Sequence, residues 1–324
     1  MEIILLLGAG LVLLVGGGEL LVRGSVGVAT RFGVSPLVIG LTLVGFGTST
    51  PELVTSLQAA LGGYPGIAYG NIVGSTIANT LLILGATAVI CPVFVKRAAL
   101  KRDGVAMLSV ILIFAVLGLT MPLERWIGAV FVAGLAGYIW LAFHQESQGA
   151  EPGAVHDKSK ALKEAEAALT PPVKETGSVL IPLVMAIVGI GAVVAGGAFF
   201  VDGAVALARI LGISETVIGL TVVALGTSLP ELVTSVMAAM RKETDVAFGN
   251  IVGSNMYNIL GIGGATAMVA PGPIPTDIAN FDSLVMLGVT ALVIYFTYSG
   301  RTLERWEGSV LLVGYVGYIA LVVA

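Results

Sequence analysis

Long apolar segments constrain this chain more than any other feature of its sequence. They recur along most of its 324 residues, of which 56% are hydrophobic and only 11% are charged. The mean hydropathy is +1.00. An apolar segment of about 20 residues is long enough to cross a bilayer as a helix, and soluble domains carry about 25% charged residues. The sequence therefore predicts an all-α integral membrane protein.

Hydropathy predicts ten spans, at 3–22, 36–60, 67–92, 104–122, 126–143, 178–200, 214–240, 246–270, 282–299 and 306–323. The connections are short except for residues 144–177, a polar linker in the middle of the chain. Its stretch DKSKALKEAEAAL is typical of a short helix that ends before a proline pair. The linker is too short for a folded domain, since domains begin near about 50 residues.

The positive charges predict an orientation in the membrane. If the N-terminus is outside, fourteen of the 16 Lys and Arg residues fall in cytoplasmic segments. They are Arg23, Arg31, Lys96, Arg97, Lys101, Arg102, Lys158, Lys160, Lys163, Lys174, Arg241, Lys242, Arg301 and Arg305. Only Arg125 and Arg209 would face outside. The positive-inside rule then predicts a multi-pass protein of the cell membrane with both termini outside and the linker in the cytoplasm.

One constant shift in numbering, the repeat offset, aligns the two halves of the sequence. It places Val38–Pro92 on Val217–Pro271 without a gap, and more than half of the aligned residues are identical. A weaker match pairs LERWIGAVFVAGLAGYIWL, from Leu123, with LERWEGSVLLVGYVGYIAL, from Leu303. An odd number of spans in each half inverts the second half relative to the first. Inverted repeats of this kind are typical of secondary transporters, whose site lies at the repeat interface near the midplane.

The repeat predicts a division of the chain into three parts. Residues 1–143 form a first five-helix repeat with its best-matched segment at 38–92. Residues 144–177 are the short cytoplasmic linker. Residues 178–324 form a second five-helix repeat with its matching segment at 217–271.

The first duplicated motif is GTSTPE, Gly47–Glu52, which returns as GTSLPE, Gly226–Glu231. Pro51 has no N–H, and its ring clashes with the carbonyl four residues earlier, so a helix should break there. The residue before a proline, Thr50, is also pushed away from helical geometry. Pro51 can restart a helix at its first position, where the helix dipole favours the carboxylate of Glu52. The motif thus predicts a broken helix with a buried carboxylate in each half.

The second duplicated motif, GNIVGS followed by an asparagine, places polar groups on one helix face. Ser75 and Asn79 are spaced i, i+4, as are Ser254 and Asn258. The two halves together would supply carboxylates, hydroxyls, amides and backbone carbonyls, which are all hard oxygen donors. Ca²⁺ takes about six to eight such oxygens, and Na⁺ is also hard and of similar size. The spans contain no His and one Cys, which disfavours softer metals.

The charge of these motifs indicates coupled exchange. Glu52 and Glu231 supply a charge of −2, which one Ca²⁺, two Na⁺ or two protons would neutralise. An unpaired carboxylate at mid-membrane costs at least about 2.5 kcal/mol, and by default marks a functional site. If the empty site is costly to move across the membrane, the carrier crosses only when loaded.

Other polar residues in the spans have structural interpretations. Asn71 and Asn250 are expected to form hydrogen bonds across helices. Glu19, with Arg23 four residues later, predicts an interfacial ion pair, and Asp202 has a similar interpretation. Any single hydroxyl could instead bond the carbonyl four residues before it.

The paired motifs resemble the α-repeats of the sodium/calcium exchanger family, of prokaryotic type, within the calcium/cation antiporter superfamily. The resemblance implies electrogenic exchange of about three Na⁺ for one Ca²⁺ by alternating access, with the first and sixth spans sliding over a fixed core. It implies that the transported ions and the lipid bilayer are the partners, without a cofactor, nucleic acid or obligate protein partner. The ion ligands it implies are Thr48, Ser49, Glu52, Ser75, Asn79, Thr227, Ser228, Glu231, Ser254, Asn258 and the carbonyls of Gly45 and Ala224.

Alternatives remain at this point. Proton/calcium exchangers usually carry a carboxylate where this chain has Gly74 and Gly253, and potassium-dependent relatives typically have Asp at the position of Asn258. An ion channel would need a continuous pore, and an intramembrane enzyme would need a nucleophile and a base within the spans. Thr50 has no assigned role, since the repeat has Leu229 there.

Overall fold

The computed structural model of the protein describes residues 2–32, 47–95, 100–147, 154, 156–161, 179–242 and 244–324. The helices are α1 Glu2–Arg31, α2 Thr50–Leu61, α3 Pro65–Ile90, α4 Leu100–Thr120, α5 Arg125–Ser147, α6 Leu180–Leu211, α7 Glu215–Thr227, α8 Leu229–Met240, α9 244–269, α10 Ile278–Gly300 and α11 Arg305–Val323. Short π-helical segments occur within them at Asn79–Ile83, Leu100–Gly104, Gly219–Val223, Tyr257–Gly263 and Ile278–Asp282. Two short strands are β1 Val93–Phe94 and β2 Thr302–Leu303.

The described residues form a helical membrane protein. Seven helices are long and apolar enough to cross a bilayer: α1, α3, α4, α5, α6, α10 and α11. Helices α7 and α8 make an eighth candidate as a pair bent by 48° at a break. The predicted span 246–270 corresponds to α9, and the first part of the predicted span 36–60 lies outside the described residues. The count of ten therefore stays a prediction.

Two helices extend well past their predicted ends. The first span was expected at 3–22, yet α1 continues to Arg31, and the sixth was expected at 178–200, yet α6 continues to Leu211. Polar residues do not stop α1, because Glu19 and Arg23 pair across one turn at 2.7 Å, as the sequence predicts. Helix α6 ends only at Gly212, whose φ of +65° is left-handed.

Helices α1 and α6 pack closely in antiparallel orientation along a glycine seam. A Cβ on Gly10 would lie 2.7 Å from the backbone nitrogen of Phe200, and one on Gly17 would lie 2.7 Å from the Cβ of Ala192. The seam consists of regularly spaced glycines on each helix: Gly10, Gly17 and Gly24, and Gly189, Gly196 and Gly203. Small residues let membrane helices approach this closely without a hydrophobic driving force between them.

Helices α3 and α9, which carry the second motif, lie in the centre of the molecule. In the apolar stretch of α3, 83% of the residues are buried inside the protein, against 22% in the apolar stretch of α1. Gly70 and Gly74 allow α3 to contact the backbone of α7: added Cβ atoms would lie 2.9 Å from Gly219 and 2.7 Å from Leu220. The polar motif residues are therefore surrounded by protein rather than lipid.

Contacts that connect the halves occur in related pairs. Strand β1 pairs antiparallel with β2, with Val93 opposite Leu303, while Leu123 forms an isolated bridge with Gly272. The repeat offset places Gly272 on Val93, and the LERW match places Leu303 on Leu123. Each half thus contributes the same two segments to a pairing with the other half.

Candidate ion-binding site

The two proline turns have the same backbone geometry. Ser49 has φ −86° and ψ 4°, and Ser228 has φ −83° and ψ 5°. The turn falls at these serines, and Thr50 is already the first residue of α2. The expectation that Thr50 is non-helical was therefore wrong, because the break in the helix lies one residue earlier, at Ser49. A proline in the first turn removes only an N–H that has no partner within the helix, so the helix can begin before it.

Each of the two carboxylates contacts the repeat that does not contain it. Glu52 and Glu231 are each 1% exposed. Ser228 Oγ donates to Glu52 Oε1 at 3.0 Å, and Ser49 Oγ donates to Glu231 Oε1 at 3.3 Å. Each half therefore supplies a hydroxyl to the carboxylate of the other half, so the two motifs form one cluster.

The second motif adds further buried donors and acceptors. Ser254 Oγ donates to Glu231 Oε1 at 3.5 Å. Ser75 Oγ lies 3.4 Å from the carbonyl oxygen of Ala224, which also accepts the N–H of Ser228 at 3.1 Å. The hydroxyl of Thr227 donates to Asn71 Oδ1 at 3.0 Å. Eleven of the twelve predicted ligands are buried in this region, and Gly45 lies outside the described residues.

Among the predicted ion ligands that the structure describes, four buried side-chain oxygens have no hydrogen-bond partner. They are Glu52 Oε2, Glu231 Oε2, Asn79 Oδ1 and Asn258 Oδ1. Buried polar atoms in proteins are normally paired, and an unpaired carboxylate oxygen in a low-dielectric region is especially costly. A hard cation would supply the missing partner, because carboxylate and amide oxygens are ligands that Ca²⁺ accepts.

Asn71 and Asn250, the asparagines within the two GNIVGS segments, connect helices. Asn71 Nδ2 donates to the carbonyl of Glu52 at 3.2 Å and to Ser56 Oγ at 2.9 Å, which joins α3 to α2. Asn250 Nδ2 donates to Thr234 Oγ1 and Ser235 Oγ, both at 2.9 Å, which joins α9 to α8. These cross-helix bonds hold each proline turn against the helix that carries the second motif.

Lys158, which belongs to the polar linker, lies in the candidate site. Its side chain is fully buried, and its ammonium donates to Thr48 Oγ1 at 2.8 Å and to Ser49 Oγ at 3.2 Å. It also donates to Ser254 Oγ and lies 3.6 Å from Glu231 Oε1. Burial lowers the pKa of Lys158, and attraction to the two buried carboxylates opposes that shift. No pattern in the linker distinguishes Lys158 from its neighbouring lysines.

Asn255 is a second residue of this region that was not predicted from the sequence. It accepts from Asn79 Nδ2 at 3.1 Å through Oδ1, and its Nδ2 donates to Thr80 Oγ1 at 3.1 Å. Asn255 thereby joins α9 to α3 beside the predicted ligand Asn79. The repeat alignment contained a signal for it, because Asn255 falls on Thr76, a polar residue inside a span.

A pair of buried carboxylates outside the site was also passed over. Tyr138 donates to Asp103 at 3.0 Å, and Tyr318 donates to Asp282 at 2.8 Å. The repeat offset places Asp103 on Asp282, so the alignment of the halves could have identified both. The same carboxylate–phenol contact thus joins α4 to α5 and α10 to α11.

A cavity of about 540 Å³ lies between α1 and the two proline turns. Residues of α1 between Leu11 and Val22 form one wall, and Pro51 and Pro230 lie on the other. Thr48 also lines the cavity. Open space therefore reaches the edge of the site on the side of α1.

Removing one of the reciprocal hydroxyls is expected to weaken ion binding. Ser49→Ala and Ser228→Ala each remove a hydroxyl oxygen that is a predicted ion ligand, and the bond of such a group to a charged partner contributes about 1.5–3 kcal/mol. We expect apparent Ca²⁺ affinity to fall by about tenfold or more in each variant, since 1.4 kcal/mol is about tenfold. Equilibrium binding of ⁴⁵Ca²⁺ to purified protein measures this. Ser109→Ala is the control, because that hydroxyl is exposed and donates to the carbonyl of Val105 in its own helix.

Comparison with known proteins gives consistent similarities. The family model for the sodium/calcium exchanger protein matches residues 2–144 and 181–324. The chain is 34% identical to the sodium/calcium exchanger MaX1 of Methanosarcina acetivorans, over 98% of this chain and 97% of that one. It is also 34% identical to the inner membrane protein YrbG of Escherichia coli, over 98% and 95%. A solved structure of the sodium-calcium exchanger NCX_Mj superposes with a TM-score of 0.63 at 32% identity, covering 99% of this chain and 98% of that chain.

Proposed function

The chain belongs to the sodium/calcium exchanger family, and we propose that it exchanges Na⁺ for Ca²⁺ across the cell membrane at the buried cluster around Glu52 and Glu231. Members of this family are ion antiporters of the membrane, not enzymes. The proposed exchange is electrogenic, with about three Na⁺ for one Ca²⁺, and proceeds by alternating access. Two inverted five-helix repeats, ten spans in all, provide the two access states.

One observation carries the proposal: each repeat supplies a serine to the carboxylate of the other repeat. A site assembled from both halves changes when the halves move relative to each other, as alternating access requires. The four unpaired oxygens on Glu52, Glu231, Asn79 and Asn258 give the cluster the ligands that Na⁺ and Ca²⁺ take. The ion ligands we propose are the twelve residues that the resemblance implies.

Charge supports obligatory exchange over a leak. The two carboxylates carry −2 and are buried among helices, and the spans supply them no cation in the part of the chain that the structure describes: their ion-pair partner is Lys158 of the linker, 3.6 Å from Glu231. One Ca²⁺ neutralises them, and so do two Na⁺, while a third Na⁺ would make each cycle move net charge. The proposed orientation has both termini outside and the linker in the cytoplasm.

Calcium flux in proteoliposomes tests the proposal. The purified protein is reconstituted, and ⁴⁵Ca²⁺ uptake is measured under separately imposed Na⁺, K⁺ and H⁺ gradients. We expect uptake that requires an outward Na⁺ gradient and that responds to membrane potential, because the exchange is electrogenic.

Other results would assign a different transport mode. Uptake that follows a proton gradient and ignores Na⁺ would contradict Na⁺/Ca²⁺ exchange in favour of H⁺/Ca²⁺ exchange. Uptake that needs K⁺ as well as Na⁺ would indicate a potassium-dependent exchanger. Currents that require no counter-ion would indicate a channel.

A further inference from the structure

The ammonium of Lys158 lies where a transported cation is expected. It is fully buried, and it is bound by four residues that are all predicted ion ligands: Thr48, Ser49, Ser254 and Glu231. It also lies 5.6 Å from the centre of the Tyr257 ring, a cation–π distance. The linker therefore places a positive charge of its own inside the candidate site.

The ammonium and a metal ion cannot use these ligands at the same time. Lys158 Nζ lies 2.8 Å from Thr48 Oγ1 and 3.2 Å from Ser49 Oγ. A Ca²⁺ ion would need the same oxygens at about 2.3–2.6 Å. Two cations that close repel each other strongly in a low-dielectric interior. Binding of Ca²⁺ at these oxygens therefore requires Lys158 to leave.

Specific contacts seat the linker in this position. The N–H of Ala154 donates to Asp103 Oδ2 at 2.9 Å, at the start of α4. A Cβ on Gly249 of α9 would collide with the side chain of Asp157. A Cβ on Gly253 would lie 3.1 Å from Lys158 Cδ. The two glycines thus provide the room in which the linker residues pack against α9.

The corresponding glycines of the other repeat have a different neighbour. Gly70 and Gly74 of α3 contact the backbone of α7 at Gly219 and Leu220. Gly249 and Gly253, their equivalents by the repeat offset, contact the linker. Among the described residues, Asp157 and Lys158 therefore lie against α9 at the glycines that correspond to those where α7 lies against α3.

We propose that linker residues 156–161 form an autoinhibitory plug, whose Lys158 ammonium occupies the ion site and competes with Ca²⁺ and Na⁺ for it. The proposal rests on the proposed function, since the ions that compete are the transported ones. With the linker in the cytoplasm, the plug acts from the cytoplasmic side. Cytoplasmic Ca²⁺ or Na⁺ must displace it before a transport cycle begins.

Direct binding of ⁴⁵Ca²⁺ to the purified full-length protein, in Na⁺-free buffer, tests the competition. If Lys158 is out of the site in only about a tenth of the molecules, Ca²⁺ binds about tenfold more weakly than it would to a site that is always open. We expect Lys158→Gln to lower the apparent Kd for Ca²⁺ by about tenfold, and Lys158→Arg to change it much less. Gly249→Val, which keeps the lysine but displaces Asp157, is expected to act like Lys158→Gln. Lys160→Gln, on an exposed side chain two residues away, is the matched control.

Cysteine labelling tests displacement independently of affinity. Ala161 is 1% exposed and packs against Ala238, Val246 and Ala247. In a Cys91→Ser background, a maleimide should label Ala161→Cys slowly without ions and faster as Ca²⁺ or Na⁺ is added. Adding Lys158→Gln should make the labelling fast without ions. Lys160→Cys should react quickly under every condition.

The outcomes separate this proposal from the proposed function. An unchanged Kd in both Lys158→Gln and Gly249→Val, or labelling of Ala161→Cys that ions do not accelerate, would overturn the plug. Tighter Ca²⁺ binding by Lys158→Gln, together with Ca²⁺ uptake that ignores Na⁺, would support the plug and contradict Na⁺/Ca²⁺ exchange. If neither the wild-type protein nor any variant binds Ca²⁺ or Na⁺, both proposals fail.

Discussion

Glu52→Gln and Glu231→Gln are each expected to abolish Na⁺-driven Ca²⁺ uptake in proteoliposomes. Each substitution keeps the size of the side chain and removes one of the two negative charges at the cluster. A unit charge about 4 Å from another contributes about 4 kcal/mol at an effective dielectric constant near 20, and a divalent ion doubles this. Ca²⁺ affinity should therefore fall by more than about a hundredfold, since 1.4 kcal/mol is about tenfold.

The matched control for these carboxylates is Glu124→Gln. Glu124 is exposed at the start of α5, where it accepts a hydrogen bond from the Trp126 indole at 2.9 Å. That variant should take up Ca²⁺ at the wild-type rate. Size-exclusion profiles identical to wild type would exclude misfolding as the cause of the loss. Substantial Na⁺-driven uptake by both glutamate variants would contradict the assignment of this cluster as the ion site.

Gly189→Ala is expected to destabilise the protein and reduce uptake. A Cβ at this position would collide with the backbone of Leu21 in α1, where no flexible side chain can yield. Overpacking of this kind typically costs about 1–3 kcal/mol. Because α1 and α6 pack together along the glycine seam, the strain should affect both helices. Thermal unfolding of the detergent-solubilised protein, followed by ⁴⁵Ca²⁺ uptake, measures the two effects.

Gly191→Ala is the control for the seam, because nothing lies within 4 Å of a Cβ at Gly191. It lies in the same helix, two residues away, and changes helix propensity in the same way. A melting temperature equally lowered by both substitutions would show that helix propensity, rather than contact with α1, decides the result. An unchanged melting temperature in Gly189→Ala would contradict close packing at the seam.

Much of the helical framework could be predicted from hydropathy. Bilayer thickness fixes the minimum length of an apolar span, so spans such as 104–122 and 126–143 lie close to α4 and α5. Helix ends were less predictable. Helix α6 continues to Leu211, well past its predicted end at 200, because its ending depends on the left-handed geometry of Gly212 rather than on loss of hydrophobicity.

The candidate site was predictable only where the two halves carry the same residues. The repeat offset draws attention to Glu52 and Glu231, and the structure brings both beside the serine of the opposite motif. The same offset also marks Asp103 and Asp282, whose contacts with tyrosines lie outside the site. Asn255 differs from its repeat partner Thr76, and so identity alone did not reveal it.

The sequence by itself determined that this chain crosses a membrane, that its halves are related, and which carboxylates and hydroxyls are duplicated. Those conclusions depend on local composition and on a constant offset, which residue order preserves. Only the tertiary structure decided which oxygens meet across the halves, and that Lys158 lies among them. Lys158 and Thr48 are far apart in the chain and have no counterpart pair in the repeat. A contact of that kind is set by how the linker packs against Gly249 and Gly253, which no periodicity in the sequence encodes.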